Sequence, residues 1–293
     1  CAPHALTAFV RIVSAMLAVF ATLSSLAAKA AAPEVVPPDV LEMLRDTFLF
    51  TGEYGFYMYW FALTGYCLAN AKAILGADAS INFFHGCALQ LITAYGGSSI
   101  CAIICGKPIA IFVNESLAPT SLLTFCALYV AKAPIVALMN STIGAVAISI
   151  AHETMRCHVL MNCAAQAAAA LSPFVSGTYP VPASAPLICG VIGACGGAFL
   201  PADKGLKPIE KGTNWRIVSG IVCSLWLQFA MRDPNTTPYV VALAPALAQQ
   251  SWCRFCAVAF CVVTGTTSVL TGIMPFGANP LVAPPAAPKA KTA

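Results

Sequence analysis

From Cys157 to Ala202 the chain has no aspartate, glutamate, lysine or arginine, and further windows equally free of charge include 12–28, 54–71, 79–106, 116–131, 133–152, 217–231 and 255–288. A soluble core of ordinary size cannot hide so much apolar surface. With 59% hydrophobic and only 9% charged residues, the composition reads as an integral membrane protein. A helix needs roughly 20 apolar residues to cross a bilayer. The windows, the longest divided at proline, therefore predict helices over 49–72, 81–106, 117–139, 141–170, 186–202, 214–231 and 251–274. A membrane β-barrel would need short alternating strands, which these continuous runs are not.

Two of the runs end in matched motifs. Gly96-Gly97 is followed after nine residues by Lys107-Pro108-Ile109, and Gly196-Gly197 after nine by Lys207-Pro208-Ile209, an offset of one hundred positions. The repeat unit is an apolar helix with a glycine pair and a cationic end. Three predicted helices make up each half, with the glycine pair in the second of each. An odd number of crossings per repeat inverts one repeat relative to the other and leaves the seventh helix outside the duplication.

The expected fold class is thus an all-α polytopic membrane protein: two inverted three-helix repeats, a seventh helix and a possible extra helix at the N-terminus. The expected organisation is an N-terminal segment over 1–47, repeats over 48–139 and 140–232, a seventh helix within 233–276 and a disordered Pro/Ala/Lys tail over 277–293. The first segment has a basic start at Arg11, an apolar middle and an alanine-rich end near Ala28, the pattern of a targeting signal. Pro33 to Pro38 reads as a linker.

Charge sets the expected orientation. Lys72, Lys204, Lys207, Lys211, Arg216, Lys289 and Lys291 fall on one side, against Lys29, Arg45, Lys107 and Arg232 on the other. The excess of cations places the C-terminus in the cytoplasm or its equivalent.

Glycine lacks the side chain that favours helix, and proline removes a backbone donor, so the segments around Gly96-Gly97 and Gly196-Gly197 are expected to kink or unwind. Irregular backbone in a bilayer is tolerated where it is buried in protein or lines a wet path. The candidate pore and gating residues are accordingly Gly96, Gly97, Ser98, Ser99, Gly196, Gly197 and the charged pair Asp203 and Lys204. Lys207, Lys211 and Arg216 form the candidate lipid-facing basic loop. The bland alternative for each glycine pair is close helix packing.

Other residues carry less. Glu153 and Arg156, three apart inside a predicted helix, read as a local ion pair, and Lys132 reads as a side chain reaching for an interface. The cluster Tyr54, Phe56, Tyr57, Tyr59, Trp60 and Phe61 reads as an interfacial belt. The fourteen cysteines sit among alanine and valine and read as packing. Cys253 and Cys256 form a CxxC without a second pair, and His152-Glu153 lacks the second histidine of a zinc helix because Arg156 stands there. Neither a metal site, nor a cofactor, nor an enzymatic activity is expected, and nothing points to nucleic acid.

At the two glycine motifs the chain resembles the trimeric intracellular cation channel family, whose members have two inverted three-helix repeats and a seventh helix. Gly96-Gly97 with Ile103-Ile104-Cys105-Gly106-Lys107-Pro108 looks like the family's first-repeat signature, and Gly193 to Gly197 like its second-repeat break. The resemblance spans roughly residues 48 to 274. It implies a homotrimer, conduction of monovalent cations with potassium preferred, and an intracellular membrane, endoplasmic-reticulum-like or plastid. Animal members place a basic residue before the second motif for a phosphoinositide headgroup. This chain has Ala194 and Cys195 there, so the expected lipid attraction is a diffuse field from the basic loop. Two alternatives share the same helices: a carrier for small solutes such as amino acids, and a non-conducting scaffold subunit of a larger membrane assembly.

Inverted repeats predict that Lys107 and Lys207 lie on opposite faces of the membrane. Cysteines introduced at these positions, in a background stripped of accessible thiols, should react with an impermeant maleimide from opposite sides. Labelling of both from one side would refute the inversion.

Overall fold

A computed structural model describes residues 38–78, 80–172, 181–195 and 215–273, and these are helical with no strand among them. In chain order the helices are α1 (Pro38–Phe48), α2 (Gly52–Ala77), α3 (Phe83–Ile104), α4 (Ala110–Val113), α5 (Leu117–Val130), α6 (Lys132–Asn140), α7 (Thr142–Leu171), α8 (Ser184–Cys195), α9 (Trp215–Met231), α10 (Thr237–Leu243) and α11 (Gln250–Thr271). Local signals set several boundaries. The Asn82 side chain accepts from the amides of Phe84 and His85 and so caps α3. Ser141 caps α7 through the amide of Gly144, and Gly272, at φ +69°, closes α11 in the left-handed conformation that favours glycine.

Among the described residues two helices, α3 and α11, are both long and apolar enough to cross a membrane, and α5 with α6 makes a third if the pair is one broken span. At 26 and 30 residues α2 and α7 have the length to cross as well, but polar groups lower their apolarity. The apolar helices α8 and α9 are shorter. Large apolar side chains such as Phe84, Phe112, Val130 and Ile143 face outward, whereas Gln90, His152, Glu153 and Arg156 are buried. That distribution reverses the usual one and is compatible with an integral membrane protein.

The expected single helix over 117–139 is instead two, bent by 104° at Ala131. Pro134 is the physical reason: it has no N–H to donate to the carbonyl of Val130, and its ring crowds that carbonyl. The ammonium of Lys132 donates to the Leu75 carbonyl at 3.0 Å, so it closes the end of α2 instead of reaching outward.

α7 is the centre of the bundle. It packs on α2, α6, α8 and α11 and more lightly on α3 and α9, while α3 meets α8 and α11 also reaches α1. The leading helices of the two expected repeats, α2 and α7, thus face one another, as do the second helices, α3 and α8. Glycines set the close approaches. A Cβ at Gly65 would overlap the side chain of Ala151 where α2 crosses α7, and a Cβ at Gly193 would lie 2.7 Å from Cys163 Sγ where α8 crosses α7. Around Gly76, further along α2, there is open space.

Gly65→Ala is therefore expected to cost about 1–3 kcal/mol by overpacking, seen as a lower thermal midpoint in detergent. Gly76→Ala should leave that midpoint unchanged or raise it, because it removes unfolded-state freedom without a clash. Equal midpoints for the two variants would contradict this assignment of the α2–α7 contact.

Candidate functional site: a polar cavity against a buried ion pair

Two polar features share α7. One is a cavity of about 200 Å³ between α2, α3, the α4 region and α7. Tyr59 and Tyr66 line it from α2, Tyr95 and Ser98 from α3, Asn114 from the connection after α4, and His158, Asn162 and Gln166 from α7. The spacing of four residues from His158 to Asn162 to Gln166 puts these side chains on one helix face.

The hydrogen bonds of the wall give it a sign. Tyr66 donates its hydroxyl to the carbonyl of Ala94 at 2.8 Å, Tyr95 to that of Leu117 at 2.9 Å, and Ser98 to that of Tyr95 at 2.9 Å. Each of these three hydroxyl protons is engaged by the backbone, while the Tyr59 hydroxyl pairs with Ser116 Oγ at 2.7 Å and accepts from Asn114 Nδ2. What the three oxygens can still offer is lone pairs, and among the described residues no carboxylate or ammonium lines the cavity with them.

Phe50 forms part of the same wall at φ +61°, a left-handed conformation that costs a non-glycine residue energy. Its ring stacks on His158 with centroids 3.9 Å apart and meets Tyr59 edge-on at 5.5 Å. His158 Nε2 lies 2.8 Å from the Phe48 carbonyl, which ties the α1–α2 turn to α7. A Cβ at Gly55 would come within 2.5 Å of the Phe50 backbone, so a glycine is needed there for the turn to sit down.

The second feature is a charged cluster behind Tyr66. Arg156 makes two hydrogen bonds to Glu153 Oε2, the Nε one at 3.0 Å and the other from Nη2. His152 Nδ1 stands 3.2 Å from Glu153 Oε1, and its ring stacks on Tyr66 with centroids 5.2 Å apart. Arg216 brings Nη2 to 3.4 Å from His152 Nε2. The Arg156 guanidinium also lies 5.7 Å from the centre of the Trp215 ring. His152, Glu153 and Arg156 are all buried. On α11, Gly265 lets the backbone approach, since a Cβ there would stand 2.7 Å from Glu153 Cγ.

The residues singled out from the sequence fare differently. Ser98 lines the cavity and Ser99 does not. Gly96 and Gly97 are buried in α3, which runs uninterrupted from Phe83 to Ile104, so the expected unwinding there is absent. A buried carbonyl released from the helix would need a new partner, and retaining the ladder avoids that cost. Arg216 belongs to the first turn of α9 with its guanidinium beside His152; it is not part of a lipid-facing loop. A guanidinium has more to gain from this polar cluster than from apolar surroundings. Gly196, Gly197, Asp203, Lys204, Lys207 and Lys211 lie outside the described residues. Ala194 and Cys195 are buried at the end of α8 and present nothing to a headgroup.

The ion pair expected of Glu153 and Arg156 is present, and its burial has no mark in a spacing of three. The aromatic cluster divides: Phe56, Tyr57 and Trp60 are exposed as a belt would be, while Tyr59 turns into the cavity. Sequence reasoning missed Tyr66, Tyr95, Asn162 and Gln166. The i, i+4, i+8 series of His158, Asn162 and Gln166 inside an uncharged window was the available signal.

Comparison of the chain with family models, curated proteins and solved structures finds no match.

Removing one partner of a buried ion pair leaves an unpaired charge at a cost of about 3–5 kcal/mol. Arg156→Met should accordingly lower the thermal midpoint sharply, and adding Glu153→Gln should restore part of the loss. A double variant as unstable as the sum of the single changes would show that the two side chains are not coupled.

Proposed function

We propose that this chain is a homotrimeric channel for monovalent cations, potassium foremost, in an intracellular membrane. Its architecture would be two inverted three-helix repeats and a seventh helix, α11, and its ion path would run past Ser98 through the cavity between α2, α3 and α7. The observation that carries the reading is the cavity wall. Tyr66, Tyr95 and Ser98 direct their hydroxyl protons to backbone carbonyls and leave oxygen lone pairs as their remaining capacity. Oxygens placed in this way can take over part of the hydration shell of a weakly hydrated cation. Among the described residues that wall carries no carboxylate, which suits a monovalent ion that needs no fixed countercharge to enter and must also leave.

The packing supports the duplicated architecture. A pseudo-twofold axis between repeats brings equivalent helices together, and α2 against α7 with α3 against α8 are such pairs. The continuous α3 moves the proposed path from an unwound backbone to a side-chain-lined cavity, with Gly96 and Gly97 buried inside the helix. The matched glycine motifs and the resemblance they carry support trimer and ion.

One observation favours a carrier as the second reading. At roughly 30 Å³ per water, a cavity of about 200 Å³ has room for a small amino acid as well as for a partly hydrated ion. Amino-acid uptake into liposomes that is saturable and independent of potassium would support it.

Ser98→Phe places a ring in the cavity and should reduce potassium flux into proteoliposomes by roughly an order of magnitude, with the trimer still eluting normally. Ser99→Phe, off the cavity wall, should conduct as the parent does. Undiminished flux in Ser98→Phe would remove the cavity from the path.

A further inference from the structure

Three cysteines that are far apart in the sequence meet where α7, α9 and α11 pack together. The sulfurs of Cys157, Cys223 and Cys261 all lie within 4.8 Å of one another, with Cys223 and Cys261 3.6 Å apart. All three side chains are fully buried and none is in a disulfide. Arg156 Nη2 stands 3.7 Å from Cys261 Sγ, so a guanidinium already bound to Glu153 also faces the thiol cluster. The remaining surroundings are apolar, with Leu160, Leu227 and Val258 in the same core.

This geometry suits a metal ion. Three sulfurs each about 2.3 Å from a central ion lie about 4 Å apart, which small side-chain adjustments reach from the observed separations. Ligand type and number choose among ions. A structural zinc site is tetrahedral and takes four protein ligands, and among the described residues no histidine, aspartate or glutamate joins these three cysteines as a fourth. Thiolates in a dry, apolar shell select soft ions, copper(I) first among those content with fewer ligands.

We propose that Cys157, Cys223 and Cys261 form a binding site for copper(I), a structural or sensory centre separate from the ion path. Two of the thiols each lose a proton and form a copper–thiolate bond, while the third sulfur coordinates as a neutral thiol. The centre then carries one net negative charge beside Arg156, and two protons leave. Copper remains in the +1 state, so no oxidant or reductant is consumed. Because the site is enclosed by three helices, the ion enters as they assemble, and metal binding then stabilises the α7–α9–α11 packing.

The test uses the full chain, produced in copper-supplemented cells and purified in mild detergent under reducing conditions with a copper(I)-chelator wash. Elemental analysis should find about one copper per chain, and X-ray absorption should show a copper(I) edge with sulfur neighbours only, at about 2.3 Å. Cys223→Ala and the triple variant C157A/C223A/C261A should lose it. C101A/C163A/C189A, which removes the separate thiol group between α3, α7 and α8, should keep it. If a cysteine variant of the site fails to fold, the absorption spectrum of the parent protein still decides. Nitrogen or oxygen neighbours, a copper-free parent protein, copper retained by C157A/C223A/C261A, or a Cys223–Cys261 disulfide in the unreduced protein would each overturn the proposal.

Discussion

The salt bridge between Glu153 and Arg156 is the constraint on which the rest of the bundle depends. Two opposite charges on adjacent turns of α7 are out of reach of water, and neither can stay buried unless the other is in place. The elements around them follow from that requirement. α11 comes close through Gly265, α9 supplies Arg216 and Trp215, and Tyr66 of α2 covers His152. Buried pairs of this kind add little net stability against an apolar replacement. Their effect is to penalise every arrangement of helices that separates or strands them.

With α7 fixed, its opposite face is free to be polar in a different way. His158, Asn162 and Gln166 line a cavity, while Glu153 and Arg156 form an ion pair sealed in the interior. Tyr66 stands between the two regions: it lines the cavity, gives its proton to the Ala94 carbonyl and stacks on His152. A shift of α2 relative to α7 would thus be felt both at the cavity wall and at the charged cluster. The left-handed Phe50, stacked on His158, joins α1 to the same helix. α1 in turn reaches α11, where Arg45 lies 4.9 Å from the Trp252 ring.

The placement of the helices was largely legible in the sequence, because apolar periodicity and charge-free windows respond to the same physics that buries a helix. The window 81–106 became α3 over Phe83–Ile104, and 141–170 became α7 over Thr142–Leu171. The bend at Ala131 has its mark in the sequence too, since Pro134 stands inside the stretch that suggests one helix over 117–139. The glycine pair at Gly96-Gly97 misled, since glycine lowers the cost of both unwinding and close packing, and only the surrounding helices decide between them. Most of the candidate site was hidden for a different reason. The meeting of Tyr66 with His152, and of Cys157 with Cys223 and Cys261, joins residues from separate helices with no short spacing to mark them. Composition showed that cysteines lie in apolar helices, but not that three of them share one point.

The central claim is that the cavity between α2, α3 and α7 is part of an open path for potassium. Recording from the purified full chain in a planar bilayer tests it most directly. The account predicts discrete unitary currents carried by potassium under a salt gradient, with a reversal potential on the cation side. A bilayer that incorporates the protein and shows either no current or saturable solute flux without unitary events would contradict it, the first outcome favouring a scaffold and the second a carrier.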